Sequence, residues 1–475
     1  MNIREAIRQT ELALRAYGAR DAQGLPLIPL AAQRPIYLLG APGVGKTEAA
    51  AEVARRLDVG LVSYTLTHHT RQSALGLPQI VRRSFGGAET AVTEYTMSEI
   101  VAGVYRYMEQ TGRTRGILFL DEINCVSETL LPAVMELLQH KRFGEHRVPE
   151  GWSIVCAGNP EKFNRSARAF DPAAMDRVRV LRVEPELDAW LEYAAETGVQ
   201  PVIRSYLRLS PEEFCRIEPD GAITPRSWTD LSRMLSAMEA LGEEPDEALF
   251  EQYLQCPEVC ARFALYEKMC RGAAGRIDLS AVLAGDFASA RELAERPFEE
   301  ALFAAELLAQ RLSDEAAQAD SAREQAVRLE QFADGARRSG GEIDRACGEQ
   351  LARRERALEV RKNAGGLTMD DERRERTLLD RIRACMGEAS ARGDFAAALD
   401  ELVARERRSA KAQCRAAAQA AENGLRFMEQ AFPRRVQIVM LSELLHCERA
   451  ARLLRRELPE RMDALEEMLN PERRK

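Results

Sequence analysis

From residue 36 to residue 183 the chain alternates short apolar runs with stretches whose apolar positions recur every three or four residues. The runs at 36–39, 61–66, 117–120, 153–157 and 178–183 are largely continuous rather than alternating, as strands buried on both faces of a sheet should read. Helices are predicted at 3–17, 48–57, 98–110 and 127–139. Strands that alternate with helices imply an α/β layer structure with a parallel sheet. Two segments break the rhythm. Within 67–97, QIVRRSF and AETAVTEY flank Gly86-Gly87, which predicts a hairpin, and RFGEHRVPEG forms a turn-rich insertion before the fourth run.

Beyond residue 185 the strand pattern gives way to helices, predicted at 186–208, 225–241 and near 246–270. Past Pro297 the character changes again. Leu308, Leu312, Ala319, Ala322, Ala326, Leu329 and Ala333 keep helical spacing with one step missing at Glu315. Leu399, Val403, Ala410, Cys414, Ala417, Ala421, Leu425, Met428 and Phe432 do the same, with a step missing at Glu406. Narrow Ala-rich stripes flanked by Arg and Glu predict long antiparallel helices, partly coiled-coil-like. Ser339-Gly340-Gly341 and Ala364-Gly365-Gly366 offer breaks between them, and Pro433 an end. Such an extension could be a bundle on the preceding helices, an arm that docks a partner or substrate, or a grip on nucleic acid.

Composition sharpens this division. All three Trp and 17 of the 20 Pro lie at or before Pro297, and no Pro occurs between residues 298 and 432. A chain of 475 residues fits about three domains. The formal charge of −8 resides wholly in residues 1–299, while 300–475 carry 33 residues of each sign. Neither part has the basic excess that draws a polyanion, so nucleic acid is not an expected partner. No apolar run approaches the ~20 residues of a membrane span. The opening MNIREAIRQTELALRAY lacks the apolar centre of a signal peptide. With ten Cys and no CxxC pair, a reduced cytoplasmic protein is expected. Cys256 and Cys260 share a helix face with no His nearby, which reads as buried thiols rather than a metal site.

The densest chemistry lies at residues 40–47, GAPGVGKT, between the first strand and the following helix. Gly40, Gly43 and Gly45, with Ala41, Pro42 and Val44 between them, let successive backbone N–H groups turn inward around phosphate oxygens, and the helix N-terminus adds positive potential. Lys46 would reach the β- and γ-phosphates, and the Thr47 hydroxyl would ligate Mg²⁺. At the end of ILFLDE, Asp121 would hold the Mg²⁺ shell and Glu122 would polarise an attacking water as general base. Asn159, at the tip of the next strand, could orient that water and sense the γ-phosphate. Arg177, in DPAAMDRV, sits at a rim able to face a neighbouring subunit, with Arg165, Arg168 and Arg179 as competitors for neutralising transferred charge. Thr224-Pro225 opens a helix, leaving Arg226 on its first turn to point towards bound nucleotide.

Taken together, GAPGVGKT, ILFLDE, AGN and the two arginines resemble the AAA+ ATPases in order and spacing. VTEYTMSEI, LFLDEIN, HRVPEGWSIVCAGNP, FDPAAMDRV and TPRSW resemble its MoxR/dynein-related group over about residues 1–270. The resemblance implies a P-loop αβα core at 1–185, a helical lid at 186–275, and surface insertions at 78–96 and 141–152. Residues 276–475 lie beyond it, as an all-α extension. It also implies ATP and Mg²⁺ as cofactors, bound between subunits of a homo-oligomeric ring, usually a hexamer. Lys46 and Thr47 then serve the phosphate loop, Asp121 and Glu122 the second motif, Asn159 sensor 1, Arg177 the arginine finger and Arg226 sensor 2. A von Willebrand factor A-domain protein is an implied partner, and a protein client the implied load. Two other functions stay open: a nucleic-acid-translocating motor using Arg82-Arg83 and Lys141-Arg142 of the insertions, and a nucleotide-switched assembly scaffold.

Overall fold

A computed structural model describes residues 1–68, 72, 74, 76–218, 221–338, 343–363, 369–392 and 395–469. The chain divides into two compact units, residues 1–186 with 353–375 and residues 187–352 with 376–475.

The strands of the first unit are β1 (Ile36–Gly40), β2 (Gly60–Thr65), β3 (Pro78–Phe85), β4 (Ala88–Tyr95), β5 (Gly116–Asp121), β6 (Arg142–Phe143), β7 (His146–Arg147), β8 (Trp152–Gly158) and β9 (Arg179–Val183). Five of them form a parallel sheet in the order β2-β5-β8-β1-β9. Each predicted core strand lies within one residue of its observed bounds, because continuous apolar runs such as Ile117, Leu118, Phe119 and Leu120 are buried on both faces. Tyr37, Val62, Leu118, Ile154 and Cys156 pack with Val101 and Val104 of helix Glu99–Thr111 and with Val134 and Leu137 of helix Leu131–His140. Val360, from the 353–375 segment, packs against the same cluster. The crossovers leave the carboxyl ends of β1, β2, β5 and β8 along one edge, where an open α/β sheet presents its ligand site. The hairpin turns where predicted, with Gly86 and Gly87 both at positive φ between β3 and β4. The 141–152 insertion contains a second, shorter hairpin, β6–β7.

Lys141 of this unit is a buried charge with no carboxylate partner among the described residues. It is only 5% exposed, and its Nζ donates to Gln33 Oε1 at 3.0 Å. Burial pushes its ammonium pKa down to about 8. A base with a folded pKa below its unfolded value costs stability in full below pH 8, and the cost vanishes as the pH rises past the unfolded value. Lys141→Met is therefore expected to raise stability at pH 7 by about 1–2 kcal/mol after loss of the Gln33 bond. The gain should shrink towards zero by pH ~10.5 in thermal melts.

In the second unit, helices Leu187–Glu196, Pro201–Leu209, Pro225–Leu241, Glu247–Leu254 and Pro257–Ala274 enclose Trp190, Ile203, Tyr206, Trp228, Phe250 and Phe263. A small hairpin, β10 (Arg216–Glu218) with β11 (Gly221–Ile223), precedes the third of these helices. The single helix expected at 186–208 is two helices. Gly198 at φ +71° and Pro201 at the first position of the second break the ladder. Thr224 caps Pro225–Leu241 as the Thr224-Pro225 opening predicts, and the structure adds a reciprocal bond with Ser227.

Helices Phe298–Arg338 and Phe395–Ala431 follow the two predicted stripes, with Ile343–Asn363 and Met369–Arg392 between them. The expected breaks at 339–341 and 364–366 lie outside the described residues. Leu308, Leu312, Leu425, Met428 and Phe432 share a buried cluster with Met440, Leu441 and Leu444 of helix Arg434–His446. Ala316, Ala319, Cys414 and Ala417 meet Ala450 and Leu453 of helix Glu448–Glu457. The narrow stripes are thus widened into a bundle by neighbouring helices. Pro433 caps Arg434–His446 and separates it from the long helix before it.

Three buried charges and a partly buried fourth meet inside this unit. Arg204 and Arg208 of Pro201–Leu209 face Glu306 of Phe298–Arg338 and Glu443 of Arg434–His446. Arg208 Nε donates to Glu306 at 2.7 Å, both arginines bond Glu443, and Arg204, Glu306 and Glu443 are each at most 1% exposed. Burial, then Glu443, raises the Glu306 carboxyl above its ordinary range. Among the described residues no helix is long and apolar enough to cross a membrane, and no His/Cys/Asp/Glu group has metal-site geometry. Cys256 and Cys260 are free thiols; Cys260 is fully buried as expected, whereas Cys256 is half-buried at the N-cap of Pro257–Ala274, in extended backbone, and so does not share the helix face predicted for the pair.

Candidate functional site

Gly43 and Gly45 both take positive φ, +76° and +88°, in the loop that leaves β1. Gly45 is the N-cap of helix Lys46–Arg56, so the loop and the helix's first N–H groups form a concave anion nest. Lys46 opens the helix with its side chain folded inward, 8% exposed. Its Nζ donates to Gly40 O at 3.0 Å, Ala41 O at 2.8 Å and Asn159 Oδ1 at 2.8 Å. This ammonium therefore stands at the mouth of the nest, spanning the ends of β1 and β8.

Thr47, exposed on the same first turn, donates its hydroxyl to Asp121 Oδ2 at 3.0 Å. A hydroxyl and a carboxylate held this close are two hard oxygen donors, and they suit Mg²⁺. The carboxyl end of β5 supplies both acids because Glu122 leaves the strand in left-handed backbone, φ +53°. That turn aims successive side chains in different directions. Asp121 points to Thr47, while Glu122 Oε2 accepts from Thr67 Oγ1 at 2.8 Å, just beyond β2. The half-buried Cys125 thiol is pushed up by burial first and then by Glu122 and Asp121, so it stays neutral beside them.

The structure thus brings together Lys46, Thr47, Asp121, Glu122 and Asn159, residues spread over more than a hundred positions, at the ends of adjacent parallel strands. Arg177 stands elsewhere. It is exposed, donates to Ala173 O at 2.9 Å, and lines a cavity of about 220 Å³ with Asn124, Arg168, Phe170 and Asp171. Its competitors differ in occupation. Arg168 pairs with Glu128 at 2.7 Å, Arg179 donates to Gln9 at 2.9 Å, and Arg165 is exposed. Arg226 is exposed on the first turn of Pro225–Leu241, in the second unit.

Two residues of the site carry no signal in the sequence. Thr67 is hidden because a threonine after a strand has no signature of its own. Asn124 lies in plain view, two positions after Glu122, but only the fold shows that its carboxamide reaches Asn159 and Arg168.

The sequence pattern of the AAA domain, dynein-related subfamily, matches residues 35–178, the span that carries all five gathered residues. Two solved structures of Thermotoga maritima RuvB point variants are similar at 14% and 13% identity. They cover 53% and 52% of this chain and 68% of their own, each with a TM-score of 0.30. No curated protein matches. Residues 35–178 thus carry an AAA domain of the dynein-related subfamily, and a large, mostly helical region continues the chain beyond residue 186.

Proposed function

We propose that this chain is a Mg²⁺-dependent ATPase that works as a MoxR-like ring, remodelling or assembling a protein client. The observation that carries the reading is the convergence of Lys46, the Thr47–Asp121 pair, Glu122 and Asn159 at one sheet edge. In this reading the nest at Gly40–Ala41–Pro42–Gly43–Val44–Gly45 binds the phosphates, and Lys46 exchanges its carbonyl partners for phosphate oxygens. Thr47 and Asp121 would hold Mg²⁺, which supplies charge neutralisation on the phosphates. Glu122 accepts the proton of the attacking water, and Asn159 aligns that water against the γ-phosphate.

Arg177 acts on the nucleotide of a neighbouring subunit, consistent with its exposed place on this one. Arg226, exposed on the first turn of its helix, takes the sensor 2 role by family resemblance. A homo-oligomeric ring, a hexamer by family resemblance, follows from a finger used in trans, with a von Willebrand factor A-domain protein as candidate adaptor to the client. The neutral charge of residues 300–475 favours a protein load over nucleic acid.

The test is ATP turnover by the purified chain with and without Mg²⁺. Turnover that disappears with chelator supports the reading, and no turnover at any protein concentration overturns it. Lys46→Ala should weaken ATP binding by at least about tenfold, because it removes the ammonium at the mouth of the nest. Stimulation by protein but not by DNA would distinguish the remodelling role from a nucleic-acid motor. A further expectation concerns Thr67. Its hydroxyl occupies one acceptor site of the Glu122 carboxylate, and a hydrogen bond to a charged group is worth about 1.5–3 kcal/mol. Thr67→Ala should therefore raise basal turnover about 3–10-fold in steady-state assays, a fraction of that bond.

A further inference from the structure

Asn124 is a polar side chain only 4% exposed, in the turn that follows Asp121 and Glu122. A buried carboxamide is costly unless its hydrogen bonds are made, and here they are made to one place above all. Its Nδ2 donates to Asn159 O at 2.8 Å, and its Oδ1 accepts from Asn159 N at 3.3 Å. Both peptide groups of Asn159 are thus gripped by a single side chain. The same Nδ2 also donates to Arg168 O at 3.3 Å, and the Asn124 carbonyl accepts from Arg168 N at 2.9 Å. Space for this carboxamide depends on Gly158, where a Cβ would lie 2.4 Å from Asn124 Oδ1.

We propose that Asn124 is a positioning residue of the ATPase site, holding Asn159 at its working distance from Lys46 and tying it to the arginine-bearing segment. The inference rests on the ATPase reading above. Asn124 touches neither Lys46 nor the Thr47–Asp121 pair through any of these bonds, so it acts through the Asn159 backbone, whose side chain meets Lys46 Nζ at 2.8 Å. On the other side it clamps Arg168 and lines the cavity that also holds Arg177. One side chain therefore registers the general-base turn, the Asn159 amide and the segment leading to Arg177. A displacement of that segment by a neighbouring subunit would reach Asn159 through it.

The experiment measures kcat, KM and affinity for a fluorescent ATP analogue on the full chain, for wild type, Asn124→Leu, Asn159→Ala and the double variant. Asn124→Leu is expected to lower kcat about 10–100-fold, as loss of a supporting contact does, with KM and analogue affinity within about threefold of wild type. Because Asn124 acts through Asn159, the double variant should be within about twofold of Asn159→Ala alone. A merely structural role would instead lower affinity and melting temperature together with kcat, and that pattern overturns the proposal. So does turnover by Asn124→Leu within about twofold of wild type, or two losses that multiply in the double variant. If Asn124→Leu does not fold, Asn124→Asp, which keeps the shape and the acceptor towards Asn159 N, decides by the same readouts. Wild type without Mg²⁺-dependent turnover overturns the ATPase reading itself, whereas active wild type with an indifferent Asn124 overturns only the positioning role.

Discussion

Glu122→Gln is expected to lower ATP turnover by about 10²–10⁴-fold, the range for losing a general base, while ATP still binds. The substitution keeps the size of the side chain and its acceptor oxygen for Thr67, so the turn after β5 has no reason to move. It removes only the ability to take a proton. Asp121 cannot substitute, because its carboxylate is turned to Thr47 and the left-handed backbone of Glu122 sends the two acids apart. Nucleotide affinity should hold, since the nest, Lys46 and the Thr47–Asp121 pair are untouched. The measurement is single-turnover hydrolysis beside equilibrium binding of the same nucleotide. Hydrolysis at the wild-type rate would remove Glu122 from the role of base.

Arg204→Met is expected to destabilise the second unit by about 3–5 kcal/mol at neutral pH, the cost of breaking one side of a buried ionic group. Arg204, Glu306 and Glu443 are almost wholly removed from water, and both carboxylates depend on the two arginines. Removing one guanidinium leaves two acids against each other with a single partner. Replacing all four charges by apolar residues of similar volume should cost far less than the single change, because no ion is then stranded. The pH dependence has a definite sign. The Glu306 carboxyl is raised by burial and by Glu443, so its favourable contribution is complete below its unfolded value and is lost as pH rises through the folded one. The deficit of Arg204→Met should therefore shrink as pH falls towards that of a free carboxylic acid. Thermal unfolding at pH 5 and pH 8 checks it, and equal deficits at both would show that charge is not the cause.

The β-strands of the first unit were legible because a parallel sheet imposes a demand that sequence displays directly. Strands such as β5 and β8, covered on both faces, must be apolar at nearly every position, and runs this short between turn residues are too brief for a helix. GAPGVGKT was legible for a related reason, since its chemistry is local: glycines at positive φ, then a lysine and a threonine on one helical turn. The helix at 186–208 misled because periodicity continues across Gly198, while the break depends on backbone dihedrals. The long stripes predicted helices correctly but not their neighbours. A narrow apolar face permits either a two-helix arm or a bundle, and the choice rests on helices that come after it in the chain.

By itself, then, the sequence determined the local elements and singled out GAPGVGKT, Asp121, Glu122 and Asn159 as the candidate site. Only the tertiary structure decided that Glu122 turns to Thr67 while Asp121 turns to Thr47, that Asn124 grips Asn159, and that Arg204 and Arg208 meet Glu306 and Glu443. The physical reason is one of range. Apolar periodicity and loop glycines act within a few residues and leave a pattern in the chain. Buried polar partners are chosen across many residues, by whichever donors and acceptors the packed backbone brings within about 3 Å of each other.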